Sequence, residues 1–408
     1  MRSATISDAY TTDKMKLITE GRFTKLPHIV QIRFVALDGS FYVLAGDGKS
    51  DWVLNALHAR KARVRTHEWL FEVAVRKGSE TEEEQTLQGF TSKYGGRVVR
   101  NWYSKAAACL CLTPEGPPVQ RGAIRGESEA TTTYREWLRQ NRDYYGGIAD
   151  AFDSASEEYD FTISHNYINT WIRKRSIGEL LNFAKSKDTL LEVGCGTGAE
   201  AIEISRRVSK IIATDISERM IELVRKKVHA RGLSGKIVLL QARAADIGKV
   251  RKIADKVDVA YCFNGALNCE PEVGRFVDGL SSVLVPGGHF VCSIRNSFCL
   301  GEALSHAAVL QFEKMAPRKK QPVMVSVGGM DIPAFYYSPA AFSDFFSTKF
   351  KLKRIFGLPA FLPPAYLSDY YVKFKRVTSV LERFELMLGG HFPFNRVGDQ
   401  TLFVFQNR

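Results

Sequence analysis

A short apolar run that leads into three closely spaced glycines offers the clearest chemistry in the chain. Residues 190–193 have the composition of a buried strand, Gly194, Gly196 and Gly198 follow, and residues 199–208 have helical spacing. Glycine is needed where a ligand lies against bare backbone, because a Cβ would hold the ligand away from the amide N–H groups at the helix start. The segment predicts a nucleotide-binding turn, with an empty structural turn as the alternative.

A carboxylate ends the next predicted strand. Residues 211–214 are apolar and lead to Asp215, at about the 20-residue spacing at which a carboxylate accepts hydrogen bonds from ribose hydroxyls. Dinucleotide-binding turns carry G-x-G-x-x-G, whereas the glycines here alternate with other residues and Glu192 stands two positions before the first. This spacing favours S-adenosylmethionine over NAD.

The stretch from Glu192 to Gly198 resembles the first motif of class I methyltransferases, E/D-x-G-x-G-x-G. The resemblance covers residues 145–300 best and implies a doubly wound, Rossmann-like α/β domain that binds S-adenosylmethionine. By position it implies that Glu192 lies near the methionine end, that the glycine turn with Cys195 lies against the cofactor, and that Asp215 contacts the ribose.

Later segments continue the resemblance, with one departure. The family often places an Asp after the third strand to contact the adenine, but that position is Arg243 here. The resemblance leaves two assignments, the Ala244 backbone together with Asp246, or Arg243. Asn264 follows the fourth predicted strand, where the family performs methyl transfer. Residues 152–160 resemble the helix that closes over the cofactor in many small-molecule methyltransferases.

Three further segments complete the predicted domain. Residues 285–289 resemble the turn that the family places before its fifth strand. Residues 351–356 and 401–405 are expected to supply the last two strands.

The methyl acceptor is harder to predict, because much of the catalysis of methyl transfer is positioning. The end of the fourth strand lacks the Asn/Asp-Pro-Pro-aromatic motif of base-amine methylating enzymes, and the chain has no Pro-Cys pair, so both features count against a nucleic acid. Residues 301–362 are rich in aromatics and either shape a pocket for a small aromatic or lipophilic acceptor or form core. Tyr337, His391 and Asp399 are candidate proton acceptors, with structural roles as the alternative.

The N-terminal region has the pattern of a small β-rich domain. Residues 31–65 read as a strand, a turn at Asp38-Gly39, a second strand, a short helix and a third strand. The loop before the helix contains Gly, Lys and Ser, which suit a cofactor phosphate through backbone N–H groups, an ammonium and a hydroxyl. An N-cap on a solvated turn is the alternative.

Residues 15–113 resemble the split-barrel family of flavin and deazaflavin oxidoreductases. The matching residues are Lys49, Ser50 and Trp52 in the loop and Arg22, Lys25 and His28 in the strand that faces the cofactor in that family. The resemblance implies binding of FMN or coenzyme F-420 and a nitroreductase-like redox activity. A barrel kept as a scaffold or as a homodimerisation unit is the alternative.

Length and composition predict two packed domains in a chain of 408 residues that is 45% hydrophobic and 25% charged. A Pro- and Gly-rich stretch opens a polar segment at residues 114–133, which predicts a linker between a barrel at 1–113 and a methyltransferase domain at 134–408. The net charge of +13 attracts anions but does not select among nucleic acid, an acidic membrane and a phosphorylated small molecule.

Seven cysteines fit neither a disulfide framework nor a paired metal site, so we expect a reducing compartment, no metal, and core positions for Cys109 and Cys111. Residues 1–16 lack a secretory h-region, and no segment approaches the ~20 apolar residues of a membrane span, so a cytoplasmic enzyme is expected. The favoured hypothesis is a fused enzyme whose barrel reduces or holds a small molecule that the second domain methylates. The alternatives are an inert barrel and an RNA methyltransferase.

Overall fold

The computed structural model places most of the chain in two compact units, Met1–Ile124 and Arg125–Arg408. The residues that the structure describes are 14–20, 22, 27–46, 50–66, 69–103, 108–120, 133–141, 143–164, 166–308, 318, 321–362, 364–365 and 375–408.

The first unit is built mainly of strands. Its elements are β1 (Met15–Glu20), β2 (Pro27–Ile32), β3 (Val35–Leu37), β4 (Ser40–Ala45), α1 (Asp51–Ala59), β5 (Lys61–Arg65), β6 (Trp69–Lys77), α2 (Glu80–Tyr94), α3 (Gly96–Trp102), β7 (Ala108–Pro114) and β8 (Val119–Gln120).

The sheet of this unit has the order β2-β1-β5-β6-β7-β4-β3, with β8 paired to β6. Strands β2 and β3 lie at opposite edges, yet only Arg33 and Phe34 separate them in the chain. So short a connection spans about 10 Å at most, so the two edges must approach each other and the sheet is a curled half-barrel. Buried aromatics, Phe34, Phe41 and Phe71, fill its interior.

The predicted elements of residues 31–65 are confirmed, with one interruption where β2 ends and β3 begins. The turn residues Asp38 and Gly39 have positive φ of 47° and 77°. Cys109 and Cys111 are buried in the core, as predicted. The sheet continues past the predicted boundary, because Val119–Gln120 pairs with β6, while residues 121–132 of the predicted linker lie outside the described residues.

The second unit alternates strands and helices. Its elements are α4 (Tyr134–Gln140), α5 (Tyr144–Ser164), α6 (Tyr167–Leu181), β9 (Thr189–Val193), α7 (Ala199–Ile204), β10 (Lys210–Asp215), α8 (Glu218–Ala230), β11 (Ile237–Gln241), β12 (Val257–Cys262), α9 (Val273–Val283), β13 (Leu284–Arg295), α10 (Leu300–Ala308), β14 (Val323–Val327), β15 (Met330–Ala334), α11 (Pro339–Phe346), β16 (Phe350–Leu358), α12 (Lys375–Leu388) and β17 (Gln400–Asn407). Short 3-10 helices lie at Ala244–Lys252, Ala266–Cys269 and Phe394–Arg396.

The main sheet of this unit has the order β11-β10-β9-β12-β13-β17-β16. Strands β9 to β13 are parallel, and β17 is antiparallel to both of its neighbours. The chain order reverses between β9 and β12, and ligands of open α/β sheets bind at the carboxyl ends of the strands at such a switch point. The glycine-rich turn follows β9 and therefore lies at this switch point.

Both faces of the sheet are buried, as expected for parallel strands covered by helices. Leu190 and Leu191 are adjacent in β9, alternate between the two faces, and are fully buried in different hydrophobic clusters. A separate hairpin, β14 and β15, packs with α4 and α5 around Trp137. No helix among the described residues has the length and apolar character needed to cross a bilayer.

Two local predictions were wrong. Helix α7 ends at Ile204 rather than near residue 208, because the next residues form tight turns in which Arg207 N–H donates to the Ile204 carbonyl. The turn predicted at residues 285–289 is a bulge inside β13, where Gly287 has a φ of 78° and the register against β12 shifts.

Candidate functional site

The glycine-rich turn between β9 and α7 has a backbone that favours glycine. Gly194, Gly196 and Gly198 have φ of 73°, 50° and 76°. A Cβ on Gly198 would lie 2.7 Å from a Val224 methyl carbon, so this glycine allows close packing of α8. A Cβ on Gly196 would meet only the Tyr159 ring, at 3.5 Å. The turn is thus covered on one side by an aromatic ring from α5.

Asp215 is fixed to this turn from the end of β10. Its Oδ2 accepts from the Gly196 N–H at 2.7 Å, and its Oδ1 accepts from the Ser217 N–H at 2.9 Å. A carboxylate offers about four acceptor positions, so capacity is left for ribose hydroxyls. Burial raises the pKa of Asp215, while the backbone N–H donors oppose that rise.

Glu192 lies buried in β9, just before the turn. Its carboxyl lies beside the buried Tyr261 hydroxyl of the neighbouring strand, which interacts with it, although the Glu192 Oε2 atom makes no hydrogen bond of regular geometry among the described residues. Burial, followed by the neighbouring Glu200 carboxylate, raises the pKa of Glu192. Buried acceptors normally have a donor, and this carboxyl can take one from the Tyr261 hydroxyl or from a ligand that brings N–H groups, such as the ammonium of a methionine moiety.

Asn264 and helix α7 are joined by a shared carboxylate. Glu200 Oε1 accepts from Asn264 Nδ2 at 3.0 Å and from Arg173 Nε at 2.8 Å. Asn264 has a φ of 57°, and its backbone N–H donates to the Ser293 hydroxyl at 3.0 Å. These contacts bring the end of β12 to the glycine-rich turn, the relation that the sequence predicts.

In the segment after β11, the Asp246 carboxylate forms ion pairs with side chains of the same unit. Asp246 pairs with Arg243, Lys249 and Arg275 at 2.7, 3.1 and 2.8 Å. Ala244 is the first residue of a 3-10 helix, whose opening N–H groups have no partner within the helix. Both assignments, the Ala244 backbone with Asp246 or Arg243, stay predictions for the adenine contact.

Arg243, the alternative adenine contact, lies with its guanidinium 4.5 Å from the centre of the Tyr145 ring. The same guanidinium also donates to the Asp246 carboxylate, so it already has two partners within the chain.

Helix α5 crosses the carboxyl edge of the sheet and is anchored at three points. The Tyr145 hydroxyl donates to Glu270 at 2.7 Å, and Asp153 accepts from the Ser217 hydroxyl. The third anchor is Asp160, which accepts from the Thr197 hydroxyl and from the Lys227 ammonium. The predicted helix over the site is present, and the structure adds the residues that fasten it.

The three candidate proton acceptors have different surroundings. Burial, followed by the Glu270 carboxylate, raises the pKa of Tyr337 to about 12, and its ring packs on Phe342 and Phe345. His391 is exposed just after α12. Tyr337 and Asp399 both contact the backbone of Asn296.

Asp399 is fully buried and pairs with Arg318 at 2.5 Å and with Arg295 at 3.2 Å. Burial raises its pKa, but the two guanidinium groups outweigh burial, and the pKa of Asp399 is lowered. A carboxylate with a lowered pKa is a weak base. Its contacts are those of a structural ion pair.

The N-terminal candidates are described in part. Arg22 donates from Nη2 to Asp51 at 3.2 Å and from its backbone N–H to Asn55, which places it beside the start of α1. Ser50 precedes α1, and Trp52 packs against the core of the sheet. Lys25 and Lys49 lie outside the described residues, and only the backbone of His28 is described.

A family model described as a methyltransferase domain matches residues 190–288. The C-terminal unit contains a methyltransferase domain. The match and the sheet order confirm the predicted Rossmann-like fold of this unit. The match does not extend to the N-terminal unit, whose split-barrel assignment and flavin or deazaflavin ligand have no support beyond the sequence.

Curated relatives share the methyltransferase region. A demethylmenaquinone methyltransferase of Bacteroides fragilis is 30% identical over 149 residues, which are 35% of this chain and 58% of that protein. The corresponding enzyme of Symbiobacterium thermophilum is 26% identical over 148 residues, 36% of this chain and 57% of that protein. The chain thus spans less than three-fifths of the length of these relatives.

Among solved structures, the [4+2]-cyclase SpnF superposes with a TM-score of 0.44 at 12% identity, covering 64% of this chain and 94% of that one. A putative methyltransferase of Haloferax volcanii, solved with its Trm112 activator, gives a TM-score of 0.41 at 15% identity, covering 64% and 96%. Similarity at this level does not inform the function.

Proposed function

We propose that the C-terminal unit transfers the methyl group of S-adenosylmethionine to a small lipophilic acceptor. The observation that carries this proposal is the pairing of Asp215 with the Gly196 N–H at the switch point of the sheet. The buried Glu192 carboxyl beside that turn is compatible with a ligand that has N–H donors. When bound, the cofactor supplies a methyl group on a sulfonium centre.

The residues of the chain bind, orient and shield. Asp215 would hold the ribose, the backbone at Ala244 the adenine, and Glu192 the methionine end. Helix α5 would exclude water from the covered side, because Tyr159 lies over the turn. Since methyl transfer requires the acceptor atom in line with the reactive carbon, the main contribution of the site is positioning.

Aromatic side chains near the end of β12 support a lipophilic acceptor. The ring centres of Tyr144 and Phe335 lie 6.4 Å apart, and those of Tyr134 and Phe335 lie 6.5 Å apart. The Tyr144 hydroxyl donates to the Cys269 carbonyl at 3.2 Å, which holds this cluster beside the 3-10 helix that follows Asn264. The relatives named demethylmenaquinone methyltransferases point to the same acceptor class.

A transfer assay tests the acceptor class. The full chain is incubated with methyl-labelled S-adenosylmethionine and, in separate reactions, with a reduced demethylated quinone or with bulk RNA. We expect label in the organic extract of the quinone reaction and none in RNA. Label in RNA, together with steeply salt-dependent RNA binding, would favour the RNA methyltransferase alternative.

For the N-terminal unit, binding of FMN or coenzyme F-420 remains a prediction from the sequence. The contact of Arg22 with Asp51 is compatible with it, because this contact brings the predicted strand residue to the start of α1. Redox activity, the exact domain boundaries, homodimerisation and a cytoplasmic location are likewise untested predictions.

A further inference from the structure

Helix α12 exposes an apolar stripe. Val377, Val380, Phe384 and Met387 are exposed by between 43 and 66%, and their 3-4-3 spacing places them along one side of the helix. These four residues form the α12 stripe, and Phe392, four residues beyond the end of the helix, is 76% exposed. Single exposed apolar residues are ordinary, but a contiguous row of them marks an interaction surface.

The other side of α12 is packed into the second unit. Leu381 packs against Ile168 and Ile172 of α6, and Glu385 accepts from the Leu362 N–H at 2.8 Å. The stripe is therefore separate from the side by which the helix is held in the fold.

The α12 stripe lies at the edge of the sheet that carries the methyltransferase site. The Gly357 N–H at the carboxyl end of β16 donates to the Gly389 carbonyl at 2.9 Å, just after α12. Helix α6, on which α12 packs, carries Arg173, and Arg173 pairs with Glu200 beside the glycine-rich turn. A surface bound by this stripe would face the edge where the acceptor must enter.

The charges around the stripe indicate which class of partner it binds. Arg383 and Arg396 are exposed. Of the carboxylates of the helix, Glu385 is buried and accepts from backbone N–H groups, while Glu382 accepts from the partly exposed Tyr167 hydroxyl. An apolar row with a cationic margin is the pattern of a helix that lies in the interface of an anionic bilayer.

We propose that the α12 stripe docks the protein on an anionic phospholipid surface. A second copy of the chain is the less favoured occupant, because two such faces would bring Arg383 and Arg396 together with their like-charged counterparts. The docking itself depends on the exposure and charge of the stripe. Its use, to receive a lipophilic acceptor from the bilayer, rests on the proposed function.

Vesicle sedimentation of the full chain tests the proposal. The vesicles are phosphatidylcholine alone or phosphatidylcholine with about one-third phosphatidylglycerol. We expect binding to the anionic vesicles, weakened about tenfold or more in the double variant Val380→Asp, Met387→Asp, because both apolar contact and charge attraction are lost. Arg383→Ala should weaken binding about fivefold.

A matched control introduces the same charge elsewhere. Leu138 in α4 and Leu352 in β16 are 46% and 42% exposed, and the double variant Leu138→Asp, Leu352→Asp should bind vesicles as the unaltered chain does. Calorimetry with S-adenosylmethionine on the same samples should give equal affinities for all variants, so failure of the cofactor site is read separately from failure of docking.

Four results would overturn the proposal. The first is no sedimentation of the unaltered chain with anionic vesicles, and the second is equal binding to neutral vesicles. The third is loss of binding in the control to the same degree as in the stripe variant. If light scattering instead shows a dimer that the stripe variant dissociates, with vesicle binding unchanged, the stripe joins two copies and the lipid assignment is wrong.

Discussion

Asp215 and Asp399 are both buried carboxylates at the carboxyl edge of one sheet, and their partners give them different chemistry. Asp215 accepts only from N–H groups, which carry no full charge and leave acceptor positions for a ligand. Asp399 faces two guanidinium groups, which bind it as a counter-ion. The sequence identifies both positions but cannot distinguish these roles, because Arg295 and Arg318 lie 104 and 81 residues from Asp399.

Replacement of Asp215 tests the ribose contact. Asp215→Ala is expected to weaken S-adenosylmethionine binding by one to two orders of magnitude, about 1.5–3 kcal/mol for hydrogen bonds to a charged group. Calorimetry on the full chain measures it. Asp258 accepts from the Thr189 N–H at 2.8 Å at the opposite end of the sheet, so Asp258→Ala should leave the affinity unchanged. Unchanged affinity in a folded Asp215→Ala variant would remove Asp215 from the site.

Replacement of Asp399 tests its structural role. Asp399→Asn removes the carboxylate that pairs with the buried Arg318 and the half-buried Arg295, while Arg318 keeps its pair with Glu302. We expect a loss of about 3 kcal/mol in the free energy of unfolding, the low end for a broken buried pair. Denaturant titration measures this loss, and Asp344→Asn, at an exposed position of α11, is the control. A variant of normal stability that has lost methyl transfer would instead assign Asp399 to catalysis.

The same substitution should change how the free energy of unfolding depends on pH in the acid range. The pKa of Asp399 is lower in the folded chain than the ~3.9 of an unfolded Asp, so its contribution to stability is complete above about pH 5 and disappears as the pH falls through the folded-state pKa. The free energy of unfolding, measured from pH 6 to pH 3, should therefore fall less steeply in Asp399→Asn than in the unaltered chain. Parallel curves would contradict the ion-pair role.

At the scale of elements, the last two strands are predicted to within two residues and β13 begins earlier than predicted, whereas β9 and β10 are predicted to within one residue. The apolar runs of β9, β10 and β12 end on Gly, Asp or Asn, which mark the strand ends in the sequence. The anchors of α5 could not be predicted, because Tyr145 meets Glu270 across 125 residues and Asp160 meets Lys227 across 67. No local pattern encodes a contact that depends on the path of the whole chain, so Arg173, Glu200 and Glu270 were missed.

The prediction at this scale concerns the contact between Asp160 and Lys227. Burial lowers the pKa of Lys227, and the Asp160 carboxylate opposes that shift, so Asp160→Asn leaves a buried ammonium without its counter-ion. We expect α5 to loosen, with faster amide hydrogen exchange in residues 153–160 and about fivefold weaker S-adenosylmethionine binding, since a partly exposed pair contributes about 1 kcal/mol. Asp150→Asn, an exposed position of the same helix, should change neither quantity. Unaltered exchange in Asp160→Asn would show that this pair does not hold the helix.

At the scale of the molecule, two hydrophobic patterns in the sequence correspond to two compact units, because each supplies its own buried core. The position of the boundary was less predictable. Pro114 and the residues after it have loop composition, yet the short pairing of Val119–Gln120 with β6 adds them to the first sheet. The identity of a ligand for that sheet rests on Lys49 and its neighbours.

The last prediction is that the two units bind different ligands independently. A fragment of residues 1–120, which retains the β8 pairing, should bind FMN or coenzyme F-420, and residues 134–408 should bind S-adenosylmethionine alone. Lys49→Ala should weaken the first binding without affecting the second, because it removes a proposed phosphate partner. Absorbance titration and calorimetry of each fragment measure both affinities. A folded fragment 1–120 that binds neither flavin nor deazaflavin would leave the curled sheet as an assembly module, and fragments that fold only when joined would show that the two units share an interface.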